Sequence, residues 1–479
     1  MAASMKLFAG RCLTGALFAL VFSSVSERSS HAGDWTQLYF GAGASADAVV
    51  RDLNFARDAD HFVELKGLGG GSLSGHVFIG ADVQLSRSLV VGAFAEHTWS
   101  DMETTVGLDA IEQKFSADLL SVARTWSIGA RVGTPLTAST LAYVSAGYSR
   151  ANFHDVSFQE LNSSELHFAR VSFENFHGFF VGGGFEQRIN DYLSVRAEYR
   201  RTELKQKRVG AAEHSEDLAN GIYEMDPTVH SLKLSGILRL GGLEQSTSES
   251  TSATTQELPK NASFWTQFYL GAGIGVDGVT KDAHLQFTDI GGVGGFNIPA
   301  ETDGFGGGGL GGSITAGFDY QLSPLFVVGV FGTFDWSNVE TSMSMRSDQL
   351  SALEVHGALL KFDKSWSVGA RGGILLGQST LLYGMAGYMS ASIDDFDLSL
   401  RDNNVELAFN VDFSNFSGLF IGAGIEQKLT NNISLRGDYR YASLRGQSAR
   451  DIDNILEIDL EPDLHIARLS LLYRFEVEP

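Results

Sequence analysis

The sequence repeats itself. Trp35-Thr-Gln-Leu-Tyr-Phe-Gly-Ala-Gly returns as Trp265-Thr-Gln-Phe-Tyr-Leu-Gly-Ala-Gly, and Trp126-Ser-Ile-Gly-Ala-Arg131 returns as Trp366-Ser-Val-Gly-Ala-Arg371. Ala146-Gly-Tyr148 recurs at Ala386-Gly-Tyr388, and the stretch from Phe185-Glu-Gln-Arg188 to Arg200 recurs from Ile425-Glu-Gln-Lys428 to Arg440. Order and spacing are kept, so both copies must be built on one plan. Between them, Gln245 to Gln256 is almost wholly Ser, Thr, Glu and Ala and is followed by Pro259, the composition of a flexible linker. The expected domains are 34–242 and 264–475, joined by a Ser/Thr-rich linker over 243–263.

Within each copy the dominant pattern has period two, which is that of strands and not of helices. Composition agrees: Gly (55 residues) and aromatics (11%) are frequent and Pro (7) is scarce, as in Gly/aromatic-rich β proteins. Eight strands are expected per copy. They begin near Trp35, Gly75, Leu89, Leu119, Thr140, Gly178, Leu193 and Val229, and again near Trp265, Ser313, Phe326, Lys361, Thr380, Gly418, Ile433 and Leu464. Connections alternate between short and long. Ser86-Arg-Ser88, Thr134 to Ser139 and Asn190-Asp-Tyr192 are short, whereas 45–72, 101–117, 152–176 and 203–228 are long and polar. Short inner turns alternating with long outer loops is the layout of a membrane barrel.

The two faces of these strands differ sharply. Leu193, Val195, Ala197 and Tyr199 alternate with Ser194, Arg196, Glu198 and Arg200; Leu469, Leu471, Tyr473 and Phe475 alternate with Arg468, Ser470 and Arg474. Extending the register collects one charged face per copy. The first holds Asp82, Glu96, Arg131, Glu186, Arg188, Arg196, Glu198, Arg200, Lys233 and Arg239. The second holds Asp319, Asp335, Arg371, Glu426, Lys428, Arg436, Asp438, Arg440, Arg468 and Arg474, with the sign of every charge preserved. A soluble barrel would turn its apolar face inward. Strands of about ten residues with an apolar, aromatic-tipped face suit a bilayer, where a mid-depth charge facing lipid costs about 2–4 kcal/mol. The charges are therefore expected to face the lumen and pair there as Arg–carboxylate ion pairs, with Glu186 and Glu198 serving Arg131 and Arg196.

The start of the chain fits an export signal over 1–32: basic Lys6 and Arg11, the apolar run Leu13 to Phe22, and a small-x-small site at Ser30-His31-Ala32. The single cysteine, Cys12, falls within it, so the mature protein is expected to carry no disulfide or thiolate metal site. A formal charge of −22 argues against nucleic acid as a partner.

The repeated segments resemble the small outer-membrane β-barrels of the opacity-protein-like surface antigen and porin family. The residues that carry the resemblance are Trp-Thr-x-x-Tyr at Trp35 and Trp265, the Trp-Ser-(Ile/Val)-Gly-Ala-Arg strand, and the Glu-Gln…Arg-x-(Glu/Asp)-Tyr-Arg hairpin ending at Arg200 and Arg440. The resemblance covers each copy apart from its loops. It implies an all-β chain of two tandem eight-stranded antiparallel transmembrane barrels in the outer membrane of a Gram-negative bacterium, with termini and linker in the periplasm. It also implies recognition by the outer-membrane assembly machinery through a terminal aromatic. Tyr473 and Phe475 fit that signal, although Glu476 to Pro479 follow them, and the first copy ends Leu238-Arg-Leu240 without an aromatic.

Sixteen strands could instead close as one porin-sized channel. The long linker and the complete charge set in each copy favour two separate barrels, each just wide enough for side chains to fill. The glycine runs Gly67 to Gly71 and Gly304 to Gly312 lack the Gly-Lys-Ser/Thr of a phosphate loop and read as flexible outer loop. His154, His167 and His177 cluster around the third outer loop of the first copy. Since some relatives in the resembling family bind haem, these three are the candidate ligands, against the simpler reading of surface histidines. The nearest approach to a catalytic set, His97 with Asp101 or Glu103, loses its histidine to Phe334 in the second copy. The expected function is a structural, surface-exposed and non-catalytic barrel touching outer-membrane lipid and a host or surface ligand. The alternatives are a passive solute pore and a loop-mediated haem receptor.

Overall fold

A computed structural model of the protein describes residues 35–240 and 265–476, apart from 59–60, 111–112, 154–155, 163–164, 173–174, 211–212, 215–221, 289–296, 348–352, 377, 395, 403–404 and 452–454. The expected signal segment, the linker and His154 lie outside the described residues. The first copy forms β1 (Gln37–Asp58), β2 (His61–Ser86), β3 (Leu89–Ala110), β4 (Gln113–Pro135) and β5 (Thr140–Phe153). It continues with β6 (Val156–Asn162), β7 (Glu165–Val171), β8 (Phe176–Arg188) and β9 (Leu193–Leu204). The short β10 (Lys207–Gly210), β11 (Glu213–His214) and β12 (Ile222–Met225) precede β13 (Thr228–Arg239). The second copy begins with β14 (Gln267–Thr288), β15 (Asn297–Gln321), β16 (Phe326–Ser347), β17 (Leu353–Leu376) and β18 (Thr380–Asp394). After it come β19 (Phe396–Asp402), β20 (Val405–Val411), β21 (Phe416–Lys428), β22 (Ile433–Leu444), β23 (Gln447–Arg450) and β24 (Leu456–Glu476).

Each copy closes on itself. Antiparallel pairing runs β1–β2–β3–β4–β5–β8–β9–β13, and β13 returns to β1 from Tyr39↔Arg239 to Val50↔Thr228. The second circuit is β14–β15–β16–β17–β18–β21–β22–β24, closed by β24 on β14 with Phe268 opposite Phe475. These are two eight-stranded barrels and not one sixteen-stranded ring. At the inner end, the end nearest residues 35 and 240, the turns are held by side-chain caps. Asn190 Oδ1 accepts from the amides of Tyr192 and Leu193, and Thr430 Oγ1 accepts from those of Asn432 and Ile433.

The segments expected as long outer loops are largely strand. β2 begins at His61 instead of near Gly75, and β4 at Gln113 instead of near Leu119. A 22-residue strand such as β1 reaches roughly 70 Å, about twice what a tilted membrane strand needs, so the sheet carries on beyond the bilayer. Both glycine runs lie in these extensions, within β2 and β15, not in loops.

The exterior of each barrel is apolar. Ile128, Val144, Phe179 and Val181 on the first barrel and Val330, Leu419 and Ile421 on the second are well exposed. Trp99, Trp126, Trp336 and Trp366 mark the outer end of that band; Phe40, Tyr192, Phe268, Tyr320, Tyr473 and Phe475 mark its inner end. An apolar band between two aromatic girdles is what the two bilayer interfaces select.

The barrels also touch one another, through equivalent residues. Phe185, Ala197 and Leu234 of the first pack with Ile425, Leu435 and Leu469 of the second. Ala46 and Ala48, flanked by Tyr199, pack with Val276 and Ala467, flanked by Tyr439. A Cβ on Gly437 would lie 3.6 Å from that of Ala197, its counterpart in the repeat. Beyond the bilayer the seam becomes a β-ladder: Gly69 pairs with Gly306, Lys66 with Ser342, and Thr105 with Asp303. Gly69 and Gly306 stand the same number of residues before Asp82 and Asp319, so an approximate two-fold axis relates the halves.

Candidate functional site

The lumens hold the chain's chemistry-bearing residues. Alternation along β9 sends Ser194, Arg196, Glu198 and Arg200 inward, and every one of them is buried. In the first barrel Arg131 bonds Asp82 and, at 3.0 Å, Glu186; Arg196 bonds Glu186 at 2.9 Å. Glu198 belongs to a second group, receiving Arg200 at 2.6 Å and the Tyr143 hydroxyl at 2.6 Å. Arg200 also reaches Glu96 at 2.7 Å, and Lys233 reaches Glu96 at 2.5 Å. The expectation that Glu198 serves Arg196 is thus replaced: Glu186 holds both Arg131 and Arg196.

The second barrel repeats this and adds to it. Arg371 pairs with Asp319 at 2.5 Å and Glu426 at 3.0 Å, and Arg436 pairs with Glu426 at 2.9 Å. Arg440 pairs with Asp335 at 2.8 Å, while its Nε stays 3.7 Å from Asp438. Arg468 joins Asp335 to Asp277, and Arg474 joins Asp319 to Glu426. Asp277 was not in the charged set read from sequence. Its counterpart Asp47 lies in the stretch 45–72 read as a loop, yet β14 continues through Asp277 and carries it inward.

Aromatic rings pack the charged groups. The Arg131 guanidinium sits 4.8 Å from the ring centre of Tyr39 and 4.9 Å from that of Tyr143; Arg371 sits 4.9 Å from Tyr269 and 4.8 Å from Tyr383. At the inner mouth Arg188 covers Trp35, and Lys428 covers Trp265 while donating to Gln267 at 2.8 Å. Toward the outer end, Val49, Leu53, Phe153, Phe176, Leu204 and Met225 form an apolar storey above the charges, answered in the second barrel by Val279, Phe362, Met389, Phe416, Leu444 and Leu460. Arg51 stands within that storey, 1% exposed, with no hydrogen-bond partner for its guanidinium among the described residues.

The lumen cavities bounded by described residues are small. A cavity among Glu96, Arg124, Arg200 and Lys233 measures about 40 Å³, and one among Arg371, Tyr383, Arg436 and Arg468 about 20 Å³. One water needs roughly 10–15 Å³ by this kind of measure, so these spaces take a few waters and no larger solute.

The loop histidines are not brought together into a described site. His177 is half-buried, its ring 6.3 Å from that of Tyr148. His167 lies in β7, with its side chain, like His154, outside what is described. His97 lies against Trp126, ring centres 4.2 Å apart; the side chains of Asp101 and Glu103 are outside what is described. Tyr473 and Phe475 face outward on β24 with their rings 5.0 Å apart, and Leu238 and Leu240 hold the corresponding end of β13.

A closed antiparallel barrel with an apolar exterior and a packed, charged lumen is the architecture of the small outer-membrane barrels, here present twice. The chain belongs to the outer membrane protein beta-barrel domain family, whose model matches residues 15–235 and again 250–475. It is 28% identical over 168 residues to the 31 kDa outer-membrane immunogenic proteins of Brucella melitensis and Brucella suis, covering 35% of this chain and 67% of theirs. Among solved structures, the attachment invasion locus protein Ail of Yersinia pestis matches at 14% identity, covering 44% of this chain and 99% of that one, with a TM-score of 0.20. The Pseudomonas putida toluene transporter TodX matches at 10% identity, covering 91% of this chain and 89% of that one, with a TM-score of 0.26. Both are low overlaps and add nothing to the architecture described above. The protein is an outer-membrane β-barrel protein, similar to immunogenic outer-membrane proteins.

Proposed function

We propose that the protein is a non-catalytic envelope component with a structural and surface-interaction role, its two lumens sealed and its outer sheet displayed to the surroundings. The observation that carries this reading is the filling of both lumens by the ion-pair groups around Glu186 and Glu426 under an apolar storey. Solute passage would require removing paired buried charges, each of which costs several kcal/mol to strand. That the Brucella relatives are immunogenic outer-membrane proteins supports an outer surface that other molecules meet. In this reading residues 1–32 are removed on export, and the linker and both barrel mouths near residues 35 and 476 face the periplasm. Tyr473 and Phe475 are the aromatics offered to the assembly machinery, and the contacts to a host or surface ligand fall on the extensions beyond the bilayer.

Single-channel recording of the refolded mature chain in a planar bilayer tests the sealed lumen. Absent or very small, flickering steps are expected. Large and stable steps of porin size would overturn the reading and make solute diffusion the function.

A further inference from the structure

The seam between the barrels is not filled along its whole length. On one side it leaves a groove of about 160 Å³. Its walls are Ala44, Leu73 and Leu232 of the first barrel, and Ala423, Gly437 and Tyr439 of the second. All six lie at lipid-facing positions of their strands; the charged residues that alternate with them turn into the lumens. The Tyr439 hydroxyl is already engaged with His465 Nδ1 at 2.8 Å. The groove therefore offers a ligand almost nothing but carbon.

Its depth says which solvent reaches it. Leu232 lies seven residues up β13 from Arg239, the inner end of that strand. Seven residues of tilted strand rise about 18 Å, which falls in the outer half of an apolar band about 25 Å tall. Leu73, on the groove's lip, is 58% exposed at the outer edge of that band, two residues beyond the Gly75 that pairs with Trp99. Water needs two to four polar partners to stay in such a place; Ser45, Lys233 and Asp438 also border the groove, but the first two are bonded to Asp47 and Glu96 and Asp438 belongs to the lumen face. Left empty, the lining would forfeit its dispersion contacts. Hydrocarbon is the adjacent medium, and a cavity of about 150 Å³ with apolar walls takes a six-carbon ring.

We infer that this groove is a binding site for one acyl chain of an outer-leaflet lipid, held between the two barrels as part of their seam. A protein partner does not suit a slot this narrow and this deep in the band. The pairing of the barrels creates the site, so the lipid is expected to stay with the chain when bulk lipid is exchanged for detergent.

The test is native mass spectrometry of the full mature chain, extracted from outer membranes and exchanged into mild detergent. One retained lipid per chain is expected, with at least a tenfold fall in occupancy in Ala423→Phe, which fills the groove. Ala44→Leu narrows it from the opposite wall and serves where Ala423→Phe does not fold; folding is read from the mobility of the unheated chain on a gel. A wild-type chain holding only detergent, or equal lipid retention in wild type and a folded groove-filling variant, would overturn the site. Cross-linking of an Ala197→Cys/Gly437→Cys double variant reports the seam separately. Cross-linked chains without lipid overturn the ligand alone, and failure to cross-link overturns the seam and the groove with it.

Discussion

Glu426 accepts three guanidinium groups where its counterpart Glu186 accepts two. Arg371, Arg436 and Arg474 converge on Glu426, whereas Glu186 holds Arg131 and Arg196 and its buried Oε1 has no partner among the described residues. The missing third group is Arg239, which donates instead to Gln37. A second difference has the same direction. Arg468 reaches both Asp335 and Asp277, but of the carboxylates the shorter Lys233 reaches Glu96 alone, and Oδ1 of the buried Asp47 has no partner among the described residues. A planar fork can bridge two carboxylates where an ammonium meets one. The second barrel is therefore the better satisfied of the two. Glu426→Gln, which takes the carboxylate from Arg436 and leaves Arg371 and Arg474 to share Asp319, is expected to lower stability by about 3–5 kcal/mol, and Glu186→Gln by clearly less. Urea midpoints of the chain refolded in micelles measure this; equal losses would show that the third arginine contributes nothing.

At the scale of strands, β2 and β15 do two jobs along one length. Below, they are ordinary barrel staves; above, they bring the two barrels into one ladder through Gly69 and Gly306. Next to them Gly67 holds φ +66°, and a Cβ there would run into the carbonyl oxygen of Glu340 in the other barrel. Gly67→Val is expected to abolish cross-linking between Lys66→Cys and Ser342→Cys while both barrels stay closed, at a cost of about 1–3 kcal/mol. Persistence of the cross-link at wild-type yield would mean that the ladder does not depend on close approach. These elements also mark where the sequence stops being legible. Across the bilayer each strand separates two solvents, so Leu193 to Arg200 writes its faces in alternating chemistry, and the eight strands per copy could be read. Beyond the bilayer that contrast disappears, and Gly67 to Gly71, with no side chains to show a face, reads as loop although it is strand. The charged set was legible for the same reason as the strands. Who pairs with whom was not, because Glu186 and Glu198 share a face and only the register of β8 on β9, which sets Arg196 opposite Glu186, assigns it to the former. The seam's mark in the sequence was small outward residues, Ala46, Ala197 and Gly437, where neighbouring positions carry Leu, Val or Phe.

For the molecule as a whole, the two halves are unequal at their ends. Phe475 and Tyr473 stand where the first barrel has Leu240 and Leu238. In the proposed reading Phe475 offers one assembly signal for both barrels, so Phe475→Ala is expected to reduce the heat-modifiable, folded form of the entire chain in outer-membrane fractions, the first barrel included. A variant whose first barrel still inserts at normal yield would show that each half assembles by itself. The approximate two-fold axis through Gly69 and Gly306 has a consequence for crowding in the membrane plane. A face matched by its own repeat is consumed inside the molecule, whatever the protein's abundance. No further copy can add through that face, so growth along it ends at two barrels. Head-to-tail contacts would carry no such limit and could run on into rows. The tandem gene thus delivers a counted unit, a pair that neither dilutes apart nor polymerises through the contact that made it.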